Sequence, residues 1–242
     1  MADPAFRLFE RLQAVSGRDV EPADGFPLPP AYLRVLTAGS PDGEAFLALG
    51  RRAADEFADL AASHGRPLDR AEVLEFGCGC GRVARHLVAR GVSVSGTDLN
   101  PRLAAWCRKT LPGRWLDNGP QPPLGFADES FEVVYALSVF THLYDASARA
   151  WLAELARVTR PGGLAILTLF DVENDPSLAD ALARDGFAVR RRGAEGSNLM
   201  CGYFSPEGFA ERAAPAWALV DFRSSSTTAN GQAIAVLRRA DP

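Results

Sequence analysis

Residues 73–83, Val-Leu-Glu-Phe-Gly-Cys-Gly-Cys-Gly-Arg-Val, constrain this chain more than any other stretch. Val73, Leu74 and Phe76 read as a buried strand, and Gly77, Gly79 and Gly81 let the backbone turn sharply where a Cβ would obstruct it. From Arg82 the pattern shifts to Val83, Ala84, Leu87 and Val88, one apolar face of a helix. A strand, a glycine turn and a helix start together predict a nucleotide site, with free backbone N–H groups and the helix dipole aimed at the ligand. Glu75 is out of place for a pyrophosphate and better suited to a cationic or hydroxylated ligand.

The pattern continues as alternating strands and helices. Gly91 caps the first helix, and Val92 and Val94 lead to Gly96-Thr97-Asp98, a second strand ending on an acid. Asn100-Pro101 reads as an N-cap and first helical residue. A short strand near Arg114–Leu116 and a strong one at Phe131–Leu137 follow. Asp145 is placed to cap a helix to about Thr159, before a strand at Leu164–Leu169. This alternation predicts a mainly parallel α/β sheet. Residues 171–204 read as irregular apart from a short helix at Pro176–Arg184, and Trp217–Phe222 with Gln232–Arg238 as an antiparallel edge pair.

The 242 residues suit one α/β domain. Residues 1–70, with a predicted helix over 1–15, a proline-rich link and a helix over Gly43–His64, read as an N-terminal helical cap on the same domain as 71–242. Acidic residues outnumber basic ones by 30 to 26, for a net charge of −4, which argues against nucleic acid or an anionic membrane as partner. The start of the chain lacks the basic and apolar regions of a signal peptide and no stretch is long enough to span a membrane, so the expectation is cytoplasmic. Lys109 is the only lysine, which we read as the coding bias of a GC-rich bacterial genome. The four cysteines suggest no disulfide framework. Cys78-Gly-Cys80 lacks the second ligand pair of a zinc site, so packing is the expected role and no metal is assigned.

Asp98 follows Glu75 by roughly twenty residues, the spacing at which a second-strand acid meets ribose hydroxyls. NAD and S-adenosylmethionine (SAM) both carry that ribose. The glycines discriminate: G-x-G-x-G followed by Arg82 does not match the dinucleotide G-x-G-x-x-G.

Glu-Phe-Gly-Cys-Gly-Cys-Gly-Arg resembles motif I of the class I SAM-dependent methyltransferases. Gly-Thr-Asp98 is similar to their second-strand acid, Phe126-Ala-Asp-Glu-Ser-Phe-Glu-Val-Val to the lead-in of their fourth strand, and Arg157-Val-Thr-Arg-Pro-Gly-Gly-Leu to the entry of their fifth. The resemblance implies a Rossmann-like three-layer α/β/α sandwich, with a seven-stranded sheet of order 3-2-1-4-5-7-6 and strand 7 antiparallel. It implies SAM as cofactor and S-adenosylhomocysteine as product.

By position, Gly77, Cys78 and Gly79 would lie against the methionine part and Glu75 below it near the ammonium. Asp98 would bind the ribose, Leu99 would pack on the adenine, and Asp117 or Asn118 would bond its amine. Ser138 would lie beside the methyl, and Tyr32 and Arg34 of the cap would reach the SAM carboxylate. His142 is the candidate general base, with a loop or capping histidine as the plainer reading.

The expected activity is in-line methyl transfer, without metal, to a hydroxyl or amine of a small-molecule acceptor. The protein would be a monomer or homodimer, with specificity set by the cap and by 171–204. An NAD(P)-dependent oxidoreductase, a non-catalytic SAM-binding protein and another SAM chemistry are the competing readings. Arg190–Arg192 reads as a solvated face, with attraction of an anionic substrate as the sharper alternative.

Overall fold

The computed structural model describes residues 16–241 except 192, 194 and 197–199. The predicted helix over 1–15 and Arg192 lie outside the described residues.

Proline and capping residues set the first helices. Pro30 precedes α1 (Ala31–Ala38), which ends at Gly39 with φ 70°. Asp42 caps α2 (Gly43–Ser63), its carboxylate accepting from the Ala45 amide at 2.7 Å. The βα alternation then gives β1 (Glu72–Phe76), α3 (Ala84–Val88), β2 (Ser93–Asp98), α4 (Pro101–Thr110), β3 (Trp115–Asp117), β4 (Phe131–Ala136), α5 (Asp145–Val158) and β5 (Thr159–Leu169). After these come α6 (Ala179–Asp185), β6 (Phe187–Arg191), β7 (Cys201–Phe204), α7 (Pro206–Ala213), β8 (Trp217–Arg223) and β9 (Ala233–Arg239).

Seven strands form one sheet in the order β3-β2-β1-β4-β5-β9-β8. The first five are parallel, and β9 is antiparallel to both neighbours. With the β6–β7 hairpin left out of the count, this is the expected order with its antiparallel seventh strand. Alternation of side chains divides the core into two faces. Leu74, Phe76, Val134, Ala136 and Leu167 meet Trp151, Leu155 and Phe209 of α5 and α7. Val73, Val133, Tyr135 and Ile166 meet Phe57 and Leu60 of α2 and Leu87 of α3. Helices on both faces make the three-layer sandwich.

Two local expectations are corrected. Residues 171–204 contain the antiparallel β6–β7 hairpin, because Phe187 pairs in register with Phe204 and their rings meet in a tilted pair at 4.9 Å. Asp145 does not cap α5: it is the first helical residue and bonds Arg149 and Arg212. No side chain among the described residues caps α5; Glu195, from far along the chain, braces its start by accepting from the Tyr144 amide at 2.5 Å and the Ser147 hydroxyl at 2.9 Å.

Candidate cofactor site

The C-terminal ends of β1, β2 and β4 bring the predicted residues to one edge of the sheet. Gly77, Gly79 and Gly81 take φ of 78°, 54° and 81°, backbone that residues with a Cβ adopt only under strain. A Cβ at Gly77 would lie 2.3 Å from Val139 Cγ2, and one at Gly79 2.4 Å from Thr37 Cγ2. The turn is thus held between α1 and the segment after β4.

Its amides are not free, which corrects the expectation of N–H groups aimed at a ligand. Gly77 and Cys78 both donate to Thr97 O at 2.8 Å, and Gly79 donates to Asp98 Oδ2 at 2.7 Å. Cys80 donates to Thr37 Oγ1 at 3.1 Å and Gly81 to Cys78 O at 3.0 Å. A pyrophosphate would find no unspent amide from Gly77 to Gly81. SAM carries no phosphate and asks of this turn only its shape, so the residues fit that cofactor.

Asp98 holds the turn and keeps capacity for a ligand. Oδ1 accepts from the Asn100 amide at 2.8 Å, and each oxygen retains a second lone pair for a ribose hydroxyl. Burial pushes its pKa up, against the pull of those two amides. Leu99 beside it is 42% exposed, an apolar surface available to an adenine ring. At the end of β3, Asn118 accepts from Thr97 Oγ1 at 2.6 Å and donates to Gly119 O at 2.8 Å, tying the strand ends together. Asp117 is exposed and stands 3.6 Å from Arg108, the more open of the two predicted adenine partners.

Glu75 shares the sheet face of Val73, is in register with Tyr135, and is therefore under α2, whose Phe57 ring lies 5.2 Å from that of Tyr135. It is 2% exposed, and neither its Oε2 nor the Tyr135 hydroxyl has a hydrogen-bond partner among the described residues. Burial pushes Glu75 up to about 8, against the weaker pull of the nearby Tyr135 hydroxyl and the Arg82 charge. A buried carboxyl with an unpartnered oxygen beneath a ligand-shaped turn suits a cationic group such as an ammonium.

Ser138, at the end of β4, has φ 62°. Such a conformation costs a residue with a Cβ about 1 kcal/mol or more. A closed ring of bonds holds it there. Ser138 N donates to Thr168 Oγ1 at 2.7 Å, Thr168 Oγ1 to Gln232 Oε1 at 2.7 Å, and Gln232 Nε2 back to Ser138 Oγ at 2.9 Å. His142 sits in a 3₁₀ turn, Phe140–His142, with Nδ1 2.8 Å from Met200 O. A carbonyl only accepts, so the proton is on Nδ1 and Nε2 keeps its lone pair.

Two predicted cap contacts fare differently. Tyr32 packs against the apolar cluster of Leu33, Phe46 and Leu103. Arg34 is corrected: it is 1% exposed, with its guanidinium donating to Pro29 O, Pro41 O and Asp19. It clasps the N-terminal segment and has no free edge toward the cofactor. Cys78 and Cys80 are buried. Both Cys78 and Cys107 donate to Gly79 O at 3.5 Å, and the Cys107 contact together with burial pushes the Cys78 thiol up. Burial raises Cys80 to about 12. These protonated thiols pack the turn from below. Among the described residues no group of three His, Cys, Asp or Glu side chains is placed to hold a metal.

Beside the turn, on the α2 side, lies a cavity of about 260 Å³ bounded by α1, α2, the end of β4 and the start of β9. Arg82, Thr37, Asn230 and Gln232 line it together with the predicted Ser138. Sequence reasoning missed the first four. Arg82 stood in the motif itself, noted only for not being glycine, whereas Asn230 and Gln232 come from a loop with no motif.

Residues 74–167 match the family model described as a methyltransferase domain. The chain is 40% identical over 100 residues to phthiotriol/phenolphthiotriol dimycocerosates methyltransferase 1 of Mycobacterium ulcerans, covering 40% of this chain and 36% of that one. It is 34% identical over 135 residues to malonyl-[acyl-carrier protein] O-methyltransferase of Pectobacterium atrosepticum, covering 51% and 52%. These matches span between a third and about half of the curated relatives. The 1,6-didemethyltoxoflavin-N1-methyltransferase of Burkholderia thailandensis, solved with its substrate and S-adenosylhomocysteine, shares the fold with a TM-score of 0.57 at 20% identity, over 79% of each chain.

Proposed function

From the premise that this chain belongs to the class I SAM-dependent methyltransferases, we propose that it moves the methyl group of SAM to a hydroxyl or amine of a small-molecule acceptor. The observation that carries this reading is the pairing of two acids at adjacent strand ends. Asp98 has lone pairs to spare, and the buried Glu75 has an unpartnered oxygen, under a turn whose amides leave nothing for a phosphate.

SAM supplies an electrophilic methyl on a sulfonium, so the protein's task is to align the acceptor and exclude water. Asp98 holds the ribose, Leu99 and Asp117 face the adenine, and Glu75 faces the ammonium. Ser138, locked by Thr168 and Gln232, forms the wall beside the acceptor. The acceptor enters between the α1 side and residues 171–204. No metal takes part. His142 is proposed as the base, because its bond to Met200 leaves Nε2 as an acceptor. No helix among the described residues is long and apolar enough to cross a membrane.

Calorimetry with S-adenosylhomocysteine and with NADH tests the cofactor: one equivalent of the first should bind and the second should not. Saturable NADH binding with none of S-adenosylhomocysteine would overturn the assignment. For the base, His142→Ala should lower turnover about a hundredfold with S-adenosylhomocysteine affinity nearly unchanged, and a fully active variant would remove His142 from the chemistry.

A further inference from the structure

The cavity beside the glycine turn contains polar groups that the fold does not use. Arg82 is the only charged residue among those lining it, and its side chain makes no hydrogen bond or ion pair with any described residue. Its Nε is shut off from solvent without a partner, which leaves the outer guanidinium nitrogens to meet whatever enters. Asn230, also in the lining, presents the same situation. Its Oδ1 accepts from the Gln232 amide at 3.2 Å, while its Nδ2 is buried and unpartnered. Buried donors left unmet in this way destabilise the protein until a ligand satisfies them.

We propose that the methyl acceptor carries a carboxylate and that Arg82 and Asn230 hold it in this cavity. The proposal rests on the methyltransferase reading of the adjacent turn. A carboxylate is acceptor-only and planar, and it matches the outer edge of a guanidinium with two parallel bonds while an amide N–H meets its remaining lone pair. An ammonium would be repelled by Arg82. A neutral hydroxyl would leave the guanidinium charge uncompensated in a partly buried wall.

The cavity wall itself holds no competing anion. Glu75, buried beneath the turn, attracts Arg82 electrostatically, but no hydrogen bond or ion pair joins the two among the described residues, and the cofactor's ammonium is placed to offset its charge. The remaining walls combine the methyl of Thr37 and the side chain of Leu49 with Ser138 and Gln232. That lining offers apolar surface to a short carbon chain and a hydroxyl at Ser138. The space, about 260 Å³, equals roughly eight or nine waters at about 30 Å³ each. That size suits a compact acid.

Two carboxylates could supply this chemistry, that of the acceptor and that of SAM's own methionine part, and the test separates them. Linear mono- and dicarboxylic acids of two to six carbons, and their amides, are titrated by calorimetry into protein saturated with S-adenosylhomocysteine. At least one acid should bind about tenfold tighter than its amide. Arg82→Gln and Asn230→Asp should each weaken that acid at least about tenfold, Arg82→Lys should recover part of it, and S-adenosylhomocysteine affinity should stay within about threefold. Circular dichroism and the melting midpoint confirm that each variant folds, and Asn230→Asp reads the cavity even if Arg82→Gln unfolds.

Equal binding of acids and amides would overturn the proposal. So would a large loss of S-adenosylhomocysteine affinity in Arg82→Gln with 5′-methylthioadenosine binding unchanged, because the cavity would then hold the cofactor's carboxylate. If the wild-type protein fails to bind S-adenosylhomocysteine, the cofactor assignment falls by itself, and the acid-against-amide comparison on the free protein still decides the cavity.

Discussion

Gly77–Gly81 and Arg82 are adjacent in the chain and differ in how their polar groups are used. Every amide from Gly77 to Gly81 donates within the protein, to Thr97, Asp98, Thr37 or Cys78. Arg82, one residue on, spends none of its side-chain donors on the described residues. The turn is therefore a rigid shape that a ligand lies against, and the arginine is a reactive edge that a ligand must satisfy. A motif can mark a site through its backbone form while the donors still open to a ligand belong to the side chain that ends it.

Arg82 backs onto α2 and continues the turn without a break, so disturbing that helix should shift both and produce the largest effect. A Cβ at Gly50 would come within 2.0 Å of the Arg82 carbonyl oxygen, a backbone atom that cannot rotate away. Gly50→Ala should push α2 off the Arg82 segment and destabilise the fold by about 3 kcal/mol, measured by urea unfolding. If the variant keeps wild-type stability, α2 is not the shared wall and the two regions are independent.

A smaller effect is expected from loosening the turn alone. Asp98→Ala strands the Gly79 and Asn100 amides, which should cost about 2 kcal/mol of stability. It should also weaken SAM at least about tenfold, or 1.4 kcal/mol, through the lost ribose contact. Asp98→Asn, which keeps one acceptor oxygen, should fall between. Unchanged SAM affinity in Asp98→Ala, by calorimetry, would reduce this residue to a brace for the turn.

The alternation of strands and helices was legible in the sequence because it depends on local signals, strand periodicity and Asn100-Pro101 as a helix start, whereas the sheet order and the layers came from the family that the ordered motifs from Glu75 to Gly163 resemble. Glu75 and Asp98 stood out by themselves, one ahead of the glycines and one at the end of the second strand, while Ser138 was singled out only through the resemblance. Contacts made across the chain were not legible. Glu195 braces the start of α5 from some fifty residues away, whereas Asp145, the local candidate, was taken for a cap that α5 does not have. Arg34 looked free in a proline-rich segment, yet it is enclosed by Pro29, Pro41 and Asp19. Gln232 reaches Ser138 only because β9 is inserted beside β5. The free donors of the cavity are legible only once it is known which donors the fold has already used.

Glu75 gives the finest test, because it lies between the two regions and its charge state depends on the ligand. Its folded pKa of about 8 stands above the ordinary 4.5. Between those values the folded protein holds one more proton than the unfolded chain, so stability falls as pH rises through this window, by at most about 1.4 kcal/mol per pH unit. Glu75→Gln cannot ionise and should flatten that slope in unfolding experiments between pH 5 and 8. An ammonium placed beside Glu75 favours the carboxylate, so SAM binding at pH 7 should release up to about one proton. Calorimetric heats in buffers of different ionisation enthalpy count that proton, and Glu75→Gln should abolish it. Equal heats in every buffer for the wild-type protein would move the ammonium away from Glu75 and leave the carboxyl as a buried group beside Tyr135.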